Sequence, residues 1–208
     1  LTQRLLNLNT DGHVAGERTL RSLNVIGAQT RKLALLLDQL LDTSRLEAGR
    51  LAIEPQPVDL ARLAQEVAAT TRLVTNLHSI IVTTPPELAA QADPLRLEQV
   101  LLNLLDNALR HSPDGGRIDV TLARQASGAI ELTVQDQGPG IPAEHREQVF
   151  ERYHRVHSNG RGSGLGLGLH ICREIVELHG GSIRVECPTE GGSRFVVELP
   201  IGIARPVA

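Results

Sequence analysis

The chain has 208 residues, 41% of them hydrophobic, which is enough to bury one large core or two small ones, and its formal net charge of −3 gives no basis for a nucleic-acid or membrane surface. Two phenylalanines, one tyrosine and no tryptophan leave little to stack on bases. Cys172 and Cys187 have neither CxxC nor metal-ligand spacing and no apolar run is long enough to span a bilayer, so the expectation is a reduced, cytoplasmic piece of a longer protein, with any membrane anchor or sensor upstream of Leu1.

In chain order, Leu20, Leu23, Ile26, Leu33, Leu37 and Leu40 recur at spacings of three, four or seven, a helical seam that Leu36 and Leu41 widen. So much leucine on one helix needs partners, which predicts a helical hairpin in a bundle or dimer, turning at Asn9–Gly16. A strand is expected over Leu51–Val58, interrupted by Pro55 and Pro57, then a helix capped by Asp59 and running to about Leu77. Strands Ile80–Thr84 and Ala89–Ala92 follow, then a helix that opens at Asp93-Pro94 and ends near Arg110. Arg117–Ala123 and Ile130–Gln135 alternate as a hairpin turning at Ser127-Gly128. A helix from about Leu165 to Leu178 stops at Gly180-Gly181, and Ser182–Glu186 and Arg194–Leu199 form a last strand pair before a tail, 201–208.

Three segments carry chemistry. On the helix ending near Arg110, Gln99, Asn103, Asp106, Asn107, Arg110 and His111 share one face at 100° per residue, opposite Leu101, Leu104, Leu105, Ala108 and Leu109. Such a face is ordinarily just solvated, but asparagine is a poor helix former, and carboxamide oxygens four residues apart suit a hard cation such as Mg²⁺. Asp136-Gln137-Gly138-Pro139-Gly140-Ile141 leaves an apolar strand; its carboxylate can accept from an exocyclic amine and its glycines admit a flat ring, although Asp, Gly and Pro also suit a plain turn. The run from Gly160 to Gly168 leads into a helix and offers successive backbone N–H groups to phosphates, without the Gly-Lys-Ser/Thr of a P-loop. A flexible hinge is the alternative reading of that run taken alone.

Together, and in this order, the segments resemble the catalytic domain of sensor histidine kinases of the GHKL superfamily, over about Leu20 to Leu199. The N box reads Gln99-Val-Leu-Leu-Asn103-Leu-Leu-Asp-Asn107-Ala108, the G1 box Asp136-x-Gly138-x-Gly140, the F box Val149-Phe150-Glu151-Arg152-Tyr153 and the G2 box Gly162-Ser-Gly164-Leu-Gly166-Leu167; Gly191-Gly-Ser193-Arg-Phe195 fits as well. The segment ending Leu40-Leu41-Asp42-Thr43-Ser44-Arg45-Leu46-Glu47-Ala48-Gly49 resembles the second helix of the family's dimerisation domain. The resemblance implies an α+β fold, a two-layer α/β sandwich of a mixed sheet faced by three helices (52–200), preceded by part of a helical dimerisation domain (1–51). It implies ATP and Mg²⁺, with Asn107 on the metal, Asn103 on metal or phosphate, and Arg110, standing where lysine is common, on phosphate. Asp136 would recognise adenine, with the Ser193 hydroxyl behind it. His111, where tyrosine is frequent, Ile141 and Tyr153 would line the nucleotide, as would the G1 and G2 positions Gly138, Gly140, Gly162, Gly164, Leu165, Gly166 and Leu167. Residues 152–161 would form a lid anchored by Phe150, with Arg155 and Arg161 as phosphate ligands.

Hydrolysing members carry a glutamate four residues before the metal-binding asparagine as general base. Asn103 stands there, and an amide takes no proton near neutral pH, so weak intrinsic hydrolysis and transfer to a protein are expected. None of the eight histidines fits the family's acceptor box, His13 being nearest to the helical hairpin, so the acceptor is expected upstream of Leu1. The resemblance also implies a response-regulator receiver domain as partner and a homodimer through the helical segment, with no nucleic-acid partner and no membrane contact by these residues. A silent nucleotide-binding module and a serine/threonine kinase of the same superfamily are the alternatives.

Overall fold

Residues 37, 40–46, 48–154 and 165–200 are described in the computed structural model. The chain divides into two units, Leu1–Ser44 and Arg45–Ala208. In the first, residues 40–44 are helical, with Leu37, Leu40 and Leu41 exposed and Asp42 and Thr43 buried. The seam positions from Leu20 to Leu36, and the turn expected at Asn9–Gly16, lie outside the described residues.

In the second unit the helical turn at 45–46 stops at Gly49, whose φ of 62° and N–H bond to the Leu46 carbonyl end the helix in left-handed geometry. Strand β1 is Gln56–Asp59, not Leu51–Val58, and pairs antiparallel with β3, Ala89–Ala92. Pro57 is tolerated in this two-stranded ribbon because neither strand has a second neighbour. Asp59 caps helix α1, Leu60–Arg72, its Oδ1 accepting from Ala61 N–H and from Leu88 N–H at 3.0 Å each. The helix ends five residues before the expected Leu77. Leu73, Val74 and Leu77 keep the apolar pattern but stand exposed, while Arg72 turns its guanidinium onto the Ile80 carbonyl.

The main sheet runs β2-β4-β5-β7-β6, built from β2 (His78–Thr83), β4 (Gly116–Arg124), β5 (Ile130–Gln135), β6 (Ser182–Glu186) and β7 (Arg194–Leu199). β2 and β4 are parallel and the other pairs antiparallel. Register aligns Val82, Val120, Val134, Phe195 and Val185, and likewise Leu122, Leu132, Val197 and Ile183, on one face, where they join the core with the buried sides of α1, α2 (Pro94–His111) and α3 (Gly168–Leu178). The other face carries Arg117, Asp119, Glu131, Arg184, Glu186 and Glu198, with Arg184 bonded to both Glu186 and Glu198. This is the expected two-layer sandwich on a mixed sheet. Among the described residues no helix is long and apolar enough to cross a membrane.

Two side chains lock the helices. Asp93 caps α2 through Oδ1 on the N–H groups of Leu95 and Arg96. The backbone N–H of Asp93 itself donates to Nε2 of His179, which is 2% exposed, while Nδ1 of that ring donates to the Ile175 carbonyl at 2.7 Å. α3 starts three residues later than expected, because Gly166 has a φ of 69° and does not continue a helix.

Candidate functional site

The strand β5 delivers Asp136 into the interior, where it is 1% exposed. Its Oδ1 accepts from Gly138 N–H at 2.7 Å and from Ser193 N–H at 3.1 Å, and its own N–H donates to the Ser193 carbonyl at 2.9 Å. The expected support from Ser193 is thus made by its main chain, which any residue at the head of β7 supplies. Burial pushes the Asp136 carboxyl above the ordinary carboxylate range, against the pull of the two N–H groups and of the nearby His111. Both bonds fall on Oδ1, which leaves Oδ2 as the edge that can meet a ligand.

Gly138 has a second reason to be glycine. A Cβ there would lie 2.5 Å from the His111 carbonyl and 2.9 Å from Asp136 Oδ1. The last turn of α2 therefore abuts the turn after β5, and the protein's own backbone, besides any flat ring, demands the missing side chain.

Along α2 the face drawn from the sequence divides. Asn103 is not on a solvated face: it is 7% exposed, and its Nδ2 donates to the carbonyl of Gly168, the first residue of α3, at 3.5 Å. The cause is α3, which packs across α2 and brings Cys172 close to the amide. Gln99 and Asn107 are half-buried and His111 is exposed. Asp106 is exposed, as its offset from Asn107 implies, and forms an ion pair with Arg110 one turn on. Arg110 thus already holds a carboxylate and must release it to reach a phosphate. Among the described residues no side chain caps α3, whose first N–H groups stand beside the Asn103 amide.

The segment after β5 forms two short 3₁₀ turns, Ala143–His145 and Gln148–Phe150, that the sequence did not announce. Phe150 is 2% exposed and stands edge-on to Phe195 at 6.2 Å, with the Arg173 guanidinium 4.6 Å over its ring. Tyr153 is exposed at a φ of 62°, and its N–H donates to the Gly166 carbonyl at 3.0 Å. Gly166 has no room for a Cβ, which would lie 2.9 Å from the Tyr153 carbonyl carbon. Leu165 is exposed and Leu167 buried. Ile141 and Cys187 exchange bonds at 3.3 Å, N–H to Sγ and S–H to carbonyl, beside a cleft of about 300 Å³ that Gly140 and Ile141 line but Asp136 and Asn107 do not. Arg155, Arg161, Gly162 and Gly164 lie outside the described residues. His170 and Arg173 on α3, which bear on this segment, carry no sequence signal beyond their place in an amphipathic helix.

A family model described as histidine kinase-, DNA gyrase B- and HSP90-like ATPase matches residues 92–203, more than half of the chain. The chain belongs to that family. Its relatives are sensor histidine kinases, and within the family it is an ATP-binding domain of the two-component type. It is 35% identical over 185 residues to the sensor histidine kinase TmoS of Ectopseudomonas mendocina, covering 87% of this chain and 19% of TmoS. The chain thus spans about a fifth of that relative's length. The structure of the mycobacterial sensor histidine kinase MprB superposes with a TM-score of 0.65 at 34% identity, over 73% of this chain and 100% of that one. Full-length ShkA in complex with AMPPNP gives 0.71 at 28% identity, over 83% of this chain and 36% of that one.

Proposed function

We propose that this histidine-kinase domain binds Mg-ATP between α2 and α3 and passes the γ-phosphoryl group to a histidine, for relay to an aspartate of a response-regulator receiver domain. The observation that supports the reading is Asp136: a buried carboxylate with Oδ1 fixed by two main-chain N–H groups and Oδ2 taking no part in those bonds, against the end of the asparagine-bearing helix. An adenine amine would donate to Oδ2. Gly138, Gly140, Ile141 and His111 would flank the base. The uncapped N–H groups of α3, with Gly164, Leu165, Gly166 and Leu167 before them, would receive phosphate oxygens, an anion site by partial charge as well as by hydrogen bonding. Tyr153, Arg155, Arg161 and Gly162 belong to the stretch proposed to cover the nucleotide.

The residues fit a magnesium ion that arrives with the phosphates: neutral carboxamide oxygens of Asn107, and of Asn103 one turn before it, suit a hard cation that keeps several waters. Bound there, the ion would neutralise charge on the transferring group. The chain's own part is to orient the nucleotide and to withhold a base from water. Asn103, where hydrolysing relatives carry glutamate, takes no proton, and Asp106 is turned outward onto Arg110. Dimerisation through the leucine-rich segment, where Leu37, Leu40 and Leu41 are exposed, is part of the same proposal.

Calorimetry tests the first step. Mg-ATP is expected to bind, and Asn107→Ala to lose the magnesium-dependent part of the affinity. Binding that ignores both magnesium and Asn107 would remove the metal assignment.

A further inference from the structure

Helix α3 grips the segment Phe150–Arg152 through two side chains one turn apart. His170, in the first turn, is 8% exposed. Its Nε2 accepts from Arg152 Nε–H at 2.9 Å, so that nitrogen carries no proton. Nδ1 is then the protonated one and donates to the Phe150 carbonyl at 3.3 Å. Both nitrogens thus bond to the Phe150–Arg152 segment, and Glu174 Oε1, one turn on in α3, lies 3.9 Å from Nε2. Arg173, three residues on, covers the Phe150 ring and pairs with Glu147 at 3.3 Å. Beside these contacts runs the main-chain bond from Tyr153 to Gly166. Residues 150–153 and 166–170 are thereby held edge to edge.

The packing of α3 does not need an imidazole at this position, since Ile171, Cys172, Ile175 and Val176 fill the core from the same helix. Arg152 is exposed, and a hydrogen bond to an exposed cation adds little net stability. What the pair supplies is a fixed distance and angle between the first turn of α3 and the backbone that precedes it.

We propose that His170 is a positioning residue for phosphoryl transfer: by accepting from Arg152 and donating to the Phe150 carbonyl, it keeps the helix end that receives the phosphates in register with the Phe150–Tyr153 segment. The proposal rests on the ATP-dependent reading above. In-line transfer is sensitive to small misplacements, so losing the clamp slows the transfer step more than it weakens nucleotide binding.

The test uses the intact protein and three single variants, His170→Ala, His170→Gln and Arg152→Ala, with the double variant of the two alanines. Mg-ATP affinity, transfer rate at saturating ATP and the urea midpoint are measured for each. The expected result is affinity within about threefold of wild type and transfer slowed about tenfold or more in both alanine variants, with no further loss in the double variant. Glutamine, which keeps an acceptor for Arg152, should recover most of the rate. Transfer at the wild-type rate in a folded His170→Ala protein, or a glutamine variant no faster than alanine, overturns the positioning role. If His170→Ala fails to fold, Arg152→Ala decides alone, and a wild-type rate there overturns the proposal. A wild-type protein that binds no Mg-ATP defeats the functional reading first, an outcome separate from active wild type with unaffected variants.

Discussion

Replacing Asp136 by asparagine should separate binding from stability. The Oδ1 position, which accepts from Gly138 and Ser193 N–H, survives in the amide, so the turn keeps both bonds. The negative charge is lost, and an NH₂ group falls where Oδ2 stood, facing the amine it is proposed to receive. A hydrogen bond to a charged group contributes about 1.5–3 kcal/mol, so affinity should fall by about ten- to 150-fold. Stability should move little or rise. Burial raises the Asp136 carboxyl above its ordinary value of 3.8, so the folded state disfavours the ionised form. The wild-type domain therefore loses stability as pH rises from that value through the raised one, and an amide has no such loss. Calorimetric titration with Mg-ATP at pH 7, paired with urea unfolding between pH 4 and pH 7, reads both effects. Unchanged ATP affinity in a folded Asp136→Asn protein would refute the adenine assignment, and a large loss of stability at pH 7 would refute the account of the buried carboxyl.

Other expectations follow from the same contacts. His179→Leu leaves the buried Asp93 N–H without its acceptor and should cost about 1–3 kcal/mol in urea unfolding; a neutral result would mean that the α2–α3 lock is dispensable. Asp59→Ala removes the α1 cap and the acceptor for Leu88 N–H, at about 1–2 kcal/mol near pH 7. Those bonds hold the Asp59 carboxyl below its ordinary value of 3.8, so its contribution is present above that pH and fades as pH falls through the lowered value, and the gap between wild type and variant should close there. Cys172 is fully buried with its thiol pushed up to about 12, whereas Cys187 is half-exposed. A thiol reagent should therefore label Cys187 in the folded protein and both only after unfolding, with prompt labelling of Cys172 counting against the α2–α3 packing.

The sequence made local features legible. Asp59 and Asp93-Pro94 mark helix starts by capping chemistry that acts within three residues, and the last two strands begin and end on the expected residues. It misplaced what depends on distant neighbours. Leu73, Val74 and Leu77 extend the apolar pattern of α1, yet none of the described elements buries them. Asn103 reads as surface on a helical wheel, and only the crossing of α3 makes it interior. Ser193 drew notice for its hydroxyl, while the contact on Asp136 is a backbone one that no side-chain pattern encodes. His170 and His179 both act across more than a dozen residues of chain, and nothing in their flanking residues points to Arg152 or to Asp93.

The central claim is transfer of phosphoryl to histidine with little hydrolysis. The most direct measurement incubates the protein with γ-labelled ATP, magnesium and a supplied histidine-bearing dimerisation domain, and follows label on protein and label released as phosphate. The account predicts protein-bound label that is lost in acid and kept in alkali, exceeds released phosphate, and disappears with Asp136→Asn or Asn107→Ala. Rapid release of phosphate with no labelled protein, or an acid-stable label, would contradict it.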